Sequence, residues 1–214
     1  MKIFFKGLFI FLALAGMCSC IGVNADIVFN ADNSGTISLE YRISGVLESL
    51  GRLDGNEGRP PLPVGRADIE QSVERLPGIR LMSYASREIG KDRAVSLKLQ
   101  FADIRALLSF LDAYGEKAVY TGAGNDHVLT LVLNPGGKKQ DPDLKDLVSR
   151  ITQGYSVNIS ASFNSAGTLR LLDKDGMIVS MNADMQGQGK KVSCSLPTGT
   201  VLSAEQGLSL EFRW

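Results

Sequence analysis

Ile27-Val28-Phe29-Asn30-Ala31-Asp32-Asn33-Ser34-Gly35-Thr36-Ile37-Ser38-Leu39-Glu40-Tyr41-Arg42-Ile43 is a hairpin written in period two. Ile27 and Phe29 alternate into the polar run Asn30 to Gly35, and Ile37, Leu39, Tyr41 and Ile43 then alternate with Ser38, Glu40 and Arg42. One apolar and one polar side per strand means a sheet with one face buried. The same alternation predicts strands over 79–87, 95–101, 119–121, 128–133, 155–163, 169–172, 178–181, 192–196 and 208–214. Short turns such as Asp173-Lys174-Asp175-Gly176 join most neighbours, so these strands should pair antiparallel.

Three amphipathic helices are expected beside them. Ile69, Val73 and Leu76 share a face before Pro77-Gly78. Phe101, Ile104, Leu107, Leu108 and Leu111 form the widest apolar stripe. Asp141 is a natural N-cap with Pro142 at the first helical position, and Leu144, Leu147, Val148 and Ile151 should face inward. A further short helix is expected over 47–53, then a loop from Asp54 to Pro63 whose Pro60-x-x-Pro63 reads as a stiff surface segment. The fold class that results is α+β, an antiparallel sheet with about three amphipathic helices packed on one face.

A faint echo links the two halves. Phe29-Asn30, a turn and Gly35-Thr36-Ile37-Ser38-Leu39 recur as Phe163-Asn164, a turn and Gly167-Thr168-Leu169-Arg170-Leu171. Similar hairpins need similar turn residues, which explains the echo without a duplicated unit.

Upstream of the hairpin, Lys2 and Lys6 precede the apolar run Leu8 to Met17 and the small residues around Cys18-Ser19-Cys20. This is an export leader of bacterial type. The run is too short for a permanent span, which takes roughly 20 apolar residues. Met17-Cys18-Ser19 before Cys20 resembles a lipobox, so acylation is expected at Cys20 after removal of residues 1–19. The competing site is Val23-Asn24-Ala25, with cleavage before Asp26. Residues 20–214 then form a single domain, and the loop at 134–141 is where it would subdivide. The address is periplasm-facing: an inner- or outer-membrane lipoprotein, or soluble periplasmic protein if cleavage follows Ala25.

Loss of the two leader lysines leaves 21 of the 23 basic residues against 23 acidic ones, a net charge of about −2. Nucleic-acid binding by counterion release needs clustered Lys and Arg, and the basic doublets here are Lys138-Lys139 and Lys190-Lys191, each beside glycine and expected in a loop. Cys194 alternates with Val192 and Leu196 and reads as a buried small apolar residue.

No motif dictates a reaction. The single histidine, His127, lies beside the polar run Gly122 to Asp126 and reads as a solvated turn residue; a catalytic triad or a histidine-rich metal site would have to use this one ring. Asp32-Asn33-Ser34-Gly35 and Asp173-Lys174-Asp175-Gly176 lack the distal glutamate of a calcium loop. Gly122-Ala123-Gly124 lacks the lysine and helix start of a phosphate cradle. No enzyme activity, cofactor or metal is expected. The closing segment, Leu208, Leu210, Phe212 and Trp214 alternating with Ser209, Glu211 and Arg213, looks like the terminal strand of an outer-membrane barrel. Three capped helices do not suit a small barrel wall, and a soluble strand is the expectation.

The exported Cys20, the strand running through Asn30-Ala31-Asp32-Asn33-Ser34-Gly35-Thr36, and a strand followed by the Phe101-x-x-Ile104-x-x-Leu107 helix resemble LppM-like domains of bacterial envelope lipoproteins over residues 20–165. The chain departs from that pattern in having no second long apolar segment. The resemblance implies a non-catalytic envelope domain with affinity for lipids or glycolipids, and carries over no site residues. The expected partners are the membrane, through the lipid anchor, and a lipid or another hydrophobic ligand in an apolar groove. The alternatives are a structural or assembly component of an envelope protein complex, and a small outer-membrane β-barrel.

Overall fold

A computed structural model describes residues 21–44, 65–112, 117–124, 126–137, 141–179 and 183–214. The leader, Cys20, the short helix expected over 47–53 and the proline loop lie outside the described residues.

The hairpin forms as its alternation demands. β1 (Ile21–Phe29) and β2 (Gly35–Ser44) pair antiparallel from Ile21↔Ile43 to Phe29↔Gly35. Asp32 closes the turn by accepting from the Ser34 N–H at 3.0 Å and from its hydroxyl at 2.6 Å, and Asn33 takes a positive φ of 61°. Gly35 is obligatory, because a Cβ there would meet the Val28 carbonyl oxygen at 1.9 Å.

α1 (Arg66–Glu74) buries Ile69 and Val73. A second hairpin follows, β3 (Ile79–Ile89) with β4 (Asp92–Phe101), and β4 pairs with β2 on its other side. α2 (Ile104–Leu111) starts where Asp103 accepts from the Ala106 N–H at 2.8 Å, and buries Ala106, Leu107, Phe110 and Leu111. A third hairpin joins β5 (Ala118–Ala123) to β6 (Asp126–Asn134). α3 (Pro142–Ile151) is capped by Asp141, which accepts from the Asp143 N–H, with Pro142 in the first turn. Then come β7 (Ser156–Leu172), β8 (Asp184–Gln186), β9 (Gln188–Pro197), α4 (Thr198–Leu202) and β10 (Leu208–Arg213).

These strands make one sheet in the order β3-β4-β2-β1-β7-β10-β6-β5, with β9 also on β7 and β8 on β9. The expected α+β class with three helices covering an antiparallel sheet is therefore wrong: strand makes up 56% of the described residues, helix 19%, and the sheet is a curled half-barrel with four short helices. The physical reason lies in β7. Residues 163–167, expected to turn as 29–35 do, instead form an irregularity in a continuous 17-residue strand. A strand that long serves two sets of neighbours, with β1 beside its first half and β10 beside its second. The sheet then curls and its strands cover one another, so most core side chains come from strands (Ile27, Leu39, Leu99, Leu129, Leu171, Val192, Leu210), while on α3 Val148 is half-buried and Ile151 exposed.

A second correction concerns direction. β1 and β7 run parallel, with partners from Val23↔Val157 to Val28↔Ser162, whereas the short connections predict antiparallel pairs throughout. Short links constrain only strands that follow one another, and these two are far apart in sequence. The offset of this pairing also brings the echoed Phe29 and Phe163 together. Lys190 and Lys191 lie in β9 rather than a loop, and Ile178 makes an isolated bridge to Leu172.

Candidate functional site

Every interior strand has a face turned away from the core, and on β1, β7 and β9 it carries small polar side chains: Asn24, Asp26, Asn158, Ser160, Ser193 and Ser195. The pairing register aligns them in rows across six strands. One row runs Ser96, Glu40, Asn24, Asn158, Ser195, Asp184. Two residues further on, the second runs Lys98, Ser38, Asp26, Ser160, Ser193, Gln186. At about 4.8 Å between strands the rows extend over about 24 Å. An open groove of about 520 Å³ lies over them.

The rows are knitted by hydrogen bonds. Asn158 Nδ2 donates to Asn24 Oδ1 at 2.6 Å, and Ser195 donates to Asn158 Oδ1 at 2.5 Å. Ser160 donates to Asp26 Oδ1, which also faces Lys191 Nζ at 3.1 Å. Ser96 donates to Glu40 Oε2 at 2.9 Å, and Arg87 approaches the same oxygen at 3.4 Å. Held this way the side chains keep fixed directions while hydroxyl and carboxylate lone pairs remain for a ligand.

The chain matches no family model, no curated protein and no solved structure. The groove's chemistry has to be read from its own side chains. Among the described residues, no three His, Cys, Asp or Glu come together as a metal site. Cys194 lies on the opposite side of β9, buried, where desolvation and then the Asp184 charge push its thiol up to about 11. A thiol so hard to ionise is a poor nucleophile.

Two residues before the first row, a clamp crosses the sheet. Tyr155, just before β7, crosses the bare backbone of Gly22 on β1, whose hypothetical Cβ would lie 3.5 Å from its ring. Its hydroxyl donates to Asp92 Oδ2 on β4 at 2.9 Å, Arg42 Nε on β2 donates to the same oxygen at 2.7 Å, and the Arg42 guanidinium lies 5.7 Å from the Tyr155 ring centre.

His127 is placed differently from expectation. It is in β6, half-buried, its ring stacked on Trp214 at 5.4 Å and its Nδ1 sharing a 2.6 Å hydrogen bond with Tyr120 Oη. The reason is backbone pairing: His127 N–H donates to Trp214 O and Trp214 N–H to His127 O. The ring belongs to an aromatic stack, not to the groove.

Cys20 lies outside the described residues, but the next residue, Ile21, opens β1. The strand signal read from Ile27 onward thus began too late. Sequence reasoning also missed the polar rows. Their trace was present, since Ser156, Asn158, Ser160 and Ser162 alternate along one strand where a merely solvated face carries more Lys, Glu and Arg.

Proposed function

We propose that this chain is an exported, non-catalytic protein of the bacterial envelope, held at the membrane by an acylated Cys20, and that it binds a polar, hydroxyl-rich group in the groove over its two polar rows. The single observation carrying this reading is the pair of rows itself: hydroxyls, amides and carboxylates in register across six strands. Such a surface offers donors and acceptors at fixed spacing. The ligand chemistry that fits is the headgroup of a lipid or glycolipid, or a free glycan. This accords with the resemblance to LppM-like domains. Anchoring at Cys20 accords with β1 beginning at Ile21, because cleavage after Ala25 would cut into the middle of an interior strand.

The test is titration of the purified protein with phosphatidylglycerol, a glycolipid and a soluble glycan, beside mass spectrometry of organic and aqueous extracts. A bound headgroup or glycan whose affinity falls at least tenfold in Asn158→Leu supports the reading. Neither extracted nor added ligand binding would remove it.

A second reading, a component of an envelope complex, is favoured by β3. Among the described strands it pairs with β4 alone, and Met82 on it is 53% exposed. A strand edge of eleven residues left unpaired among the described strands is a template for another chain. A photo-cross-linker at Met82 in intact cells should then capture one defined partner.

A further inference from the structure

The start of β1 determines which end of the domain meets the bilayer. Ile21 is hydrogen-bonded sheet from the outset, opposite Ile43, and the next residues lie between β2 and β7. Successive Cα atoms are 3.8 Å apart, so an acyl group on Cys20 leaves the molecule directly at this end, with no spacer. The clamp of Tyr155 over Gly22, tied to Arg42 and Asp92, stiffens the same end across four strands.

We propose that this end of the sheet rests on the phospholipid surface and that the absence of a tether orients the whole domain; the proposal depends on acylation of Cys20. The described elements gathered there include the start of β1, the end of β2, the β3–β4 turn at Gly90-Lys91, the end of β9 and, leading into β7, the last turn of α3. Ile89, 36% exposed, lies two residues from Lys91, and Ile151, 36% exposed, follows Arg150, which pairs with Asp146 at 2.6 Å, while Glu88 beside Ile89 pairs with Arg93 at 3.6 Å. Apolar side chains flanked by cations suit a headgroup layer, where the chain enters the interface and the charge meets phosphate. A flexible linker would let the domain tumble. Here the rows of the groove are held at a set height, with the β1–β2 turn at Asp32 pointing away from the membrane.

The experiment uses the acylated full-length protein in vesicles of phosphatidylethanolamine and phosphatidylglycerol. Lys91→Cys or Ala31→Cys, each labelled with an environment-sensitive fluorophore, is read against a headgroup-bearing quencher; buried Cys194 stays unlabelled. Quenching at position 91 several-fold above that at 31 is the expected result. A flexible Gly/Ser spacer of roughly ten residues between Cys20 and Ile21 should erase the difference. Equal quenching at both positions in the unspaced protein, or stronger quenching at 31, would overturn the proposal. Intact mass of the same preparation separates the two ideas: an Asp26 N-terminus removes the anchor and the orientation together, whereas acylated Cys20 with equal quenching removes the orientation alone.

Discussion

The rings of Phe29 and Phe163 stack with centroids 5.5 Å apart and 14° between planes, at the point where β1 and β10 end tip to tip against β7. Trp214 lies against both, at 4.6 Å from Phe29 and 4.9 Å from Phe163, and Phe101 meets Phe29 edge-on at 5.7 Å. The cluster packs the end of β1 against the end of β10, two strands that pair with β7. Phe29→Ala should cost about 3–5 kcal/mol and Trp214→Ala about 3 kcal/mol. The two losses should not add, because the rings touch. Urea unfolding of the single and double variants measures this; additive effects would disprove the coupling.

Shortening the N-terminus tests how much of β1 the fold needs. A chain beginning at Ile21 should unfold cooperatively. One beginning at Asp26 removes the partners of Leu39 to Ile43 and of Val157 to Ile159, together with the Gly22 site under Tyr155. It should show reduced strand content by circular dichroism and no sharp thermal transition. Equal stability of the two chains would contradict the interior position of β1.

Gly35 is fixed by close approach rather than by turn geometry. Both the Val28 carbonyl oxygen and the Phe101 ring, at 1.9 and 2.6 Å from a hypothetical Cβ, would have to move. Gly35→Ala should therefore lose about 3 kcal/mol. Gly90→Ala, where nothing lies within 4 Å of the added carbon, should lose only what a φ of 64° imposes, about 1 kcal/mol. Thermal denaturation of the pair gives the comparison.

Cys194 should be inert in the folded protein. Its raised pKa of about 11, due first to burial, leaves almost no thiolate at neutral pH. Iodoacetamide at pH about 8 should modify it only as fast as the chain opens, and guanidinium should release it at once. Rapid modification under native conditions would place the thiol at an accessible surface.

Asp32 gives the hairpin turn a pH dependence. The Ser34 hydroxyl, and after it the Ser34 N–H, hold its carboxyl below the ordinary aspartate value. Because the folded form is the stronger acid, the contribution is complete above the unfolded value of about 3.9 and is lost as pH falls through the lower folded value. Asp32→Ala should lower stability at pH about 7, and the difference should shrink as the pH falls below the unfolded value. The Ser34 amide resonance should titrate below the unfolded value in the parent and not in the variant.

How much of this was legible in the chain varied with the range of the interaction. The Ile27–Ile43 hairpin, the Asp141-Pro142 helix start and buried Cys194 are local matters of alternation and capping, and each lies where its residues indicate. The groove was not legible, since Asn24, Asn158 and Ser195 meet only through a parallel pairing and a β7–β9 register that no local pattern encodes. His127 followed the same rule, with a polar neighbourhood in sequence and an aromatic one in space.

The amino-acid sequence by itself determined the period-two alternation of the chain, the turn at Asn30 to Gly35 and the helix start at Asp141-Pro142, because these depend on neighbours a few residues apart. The tertiary structure decided that residues 163–167 continue a strand instead of turning it, so that β7 gathers β1, β9 and β10 and the sheet curls over its own core. That choice depends on which distant backbone offers its hydrogen bonds, a competition settled only when all the strands are present at once.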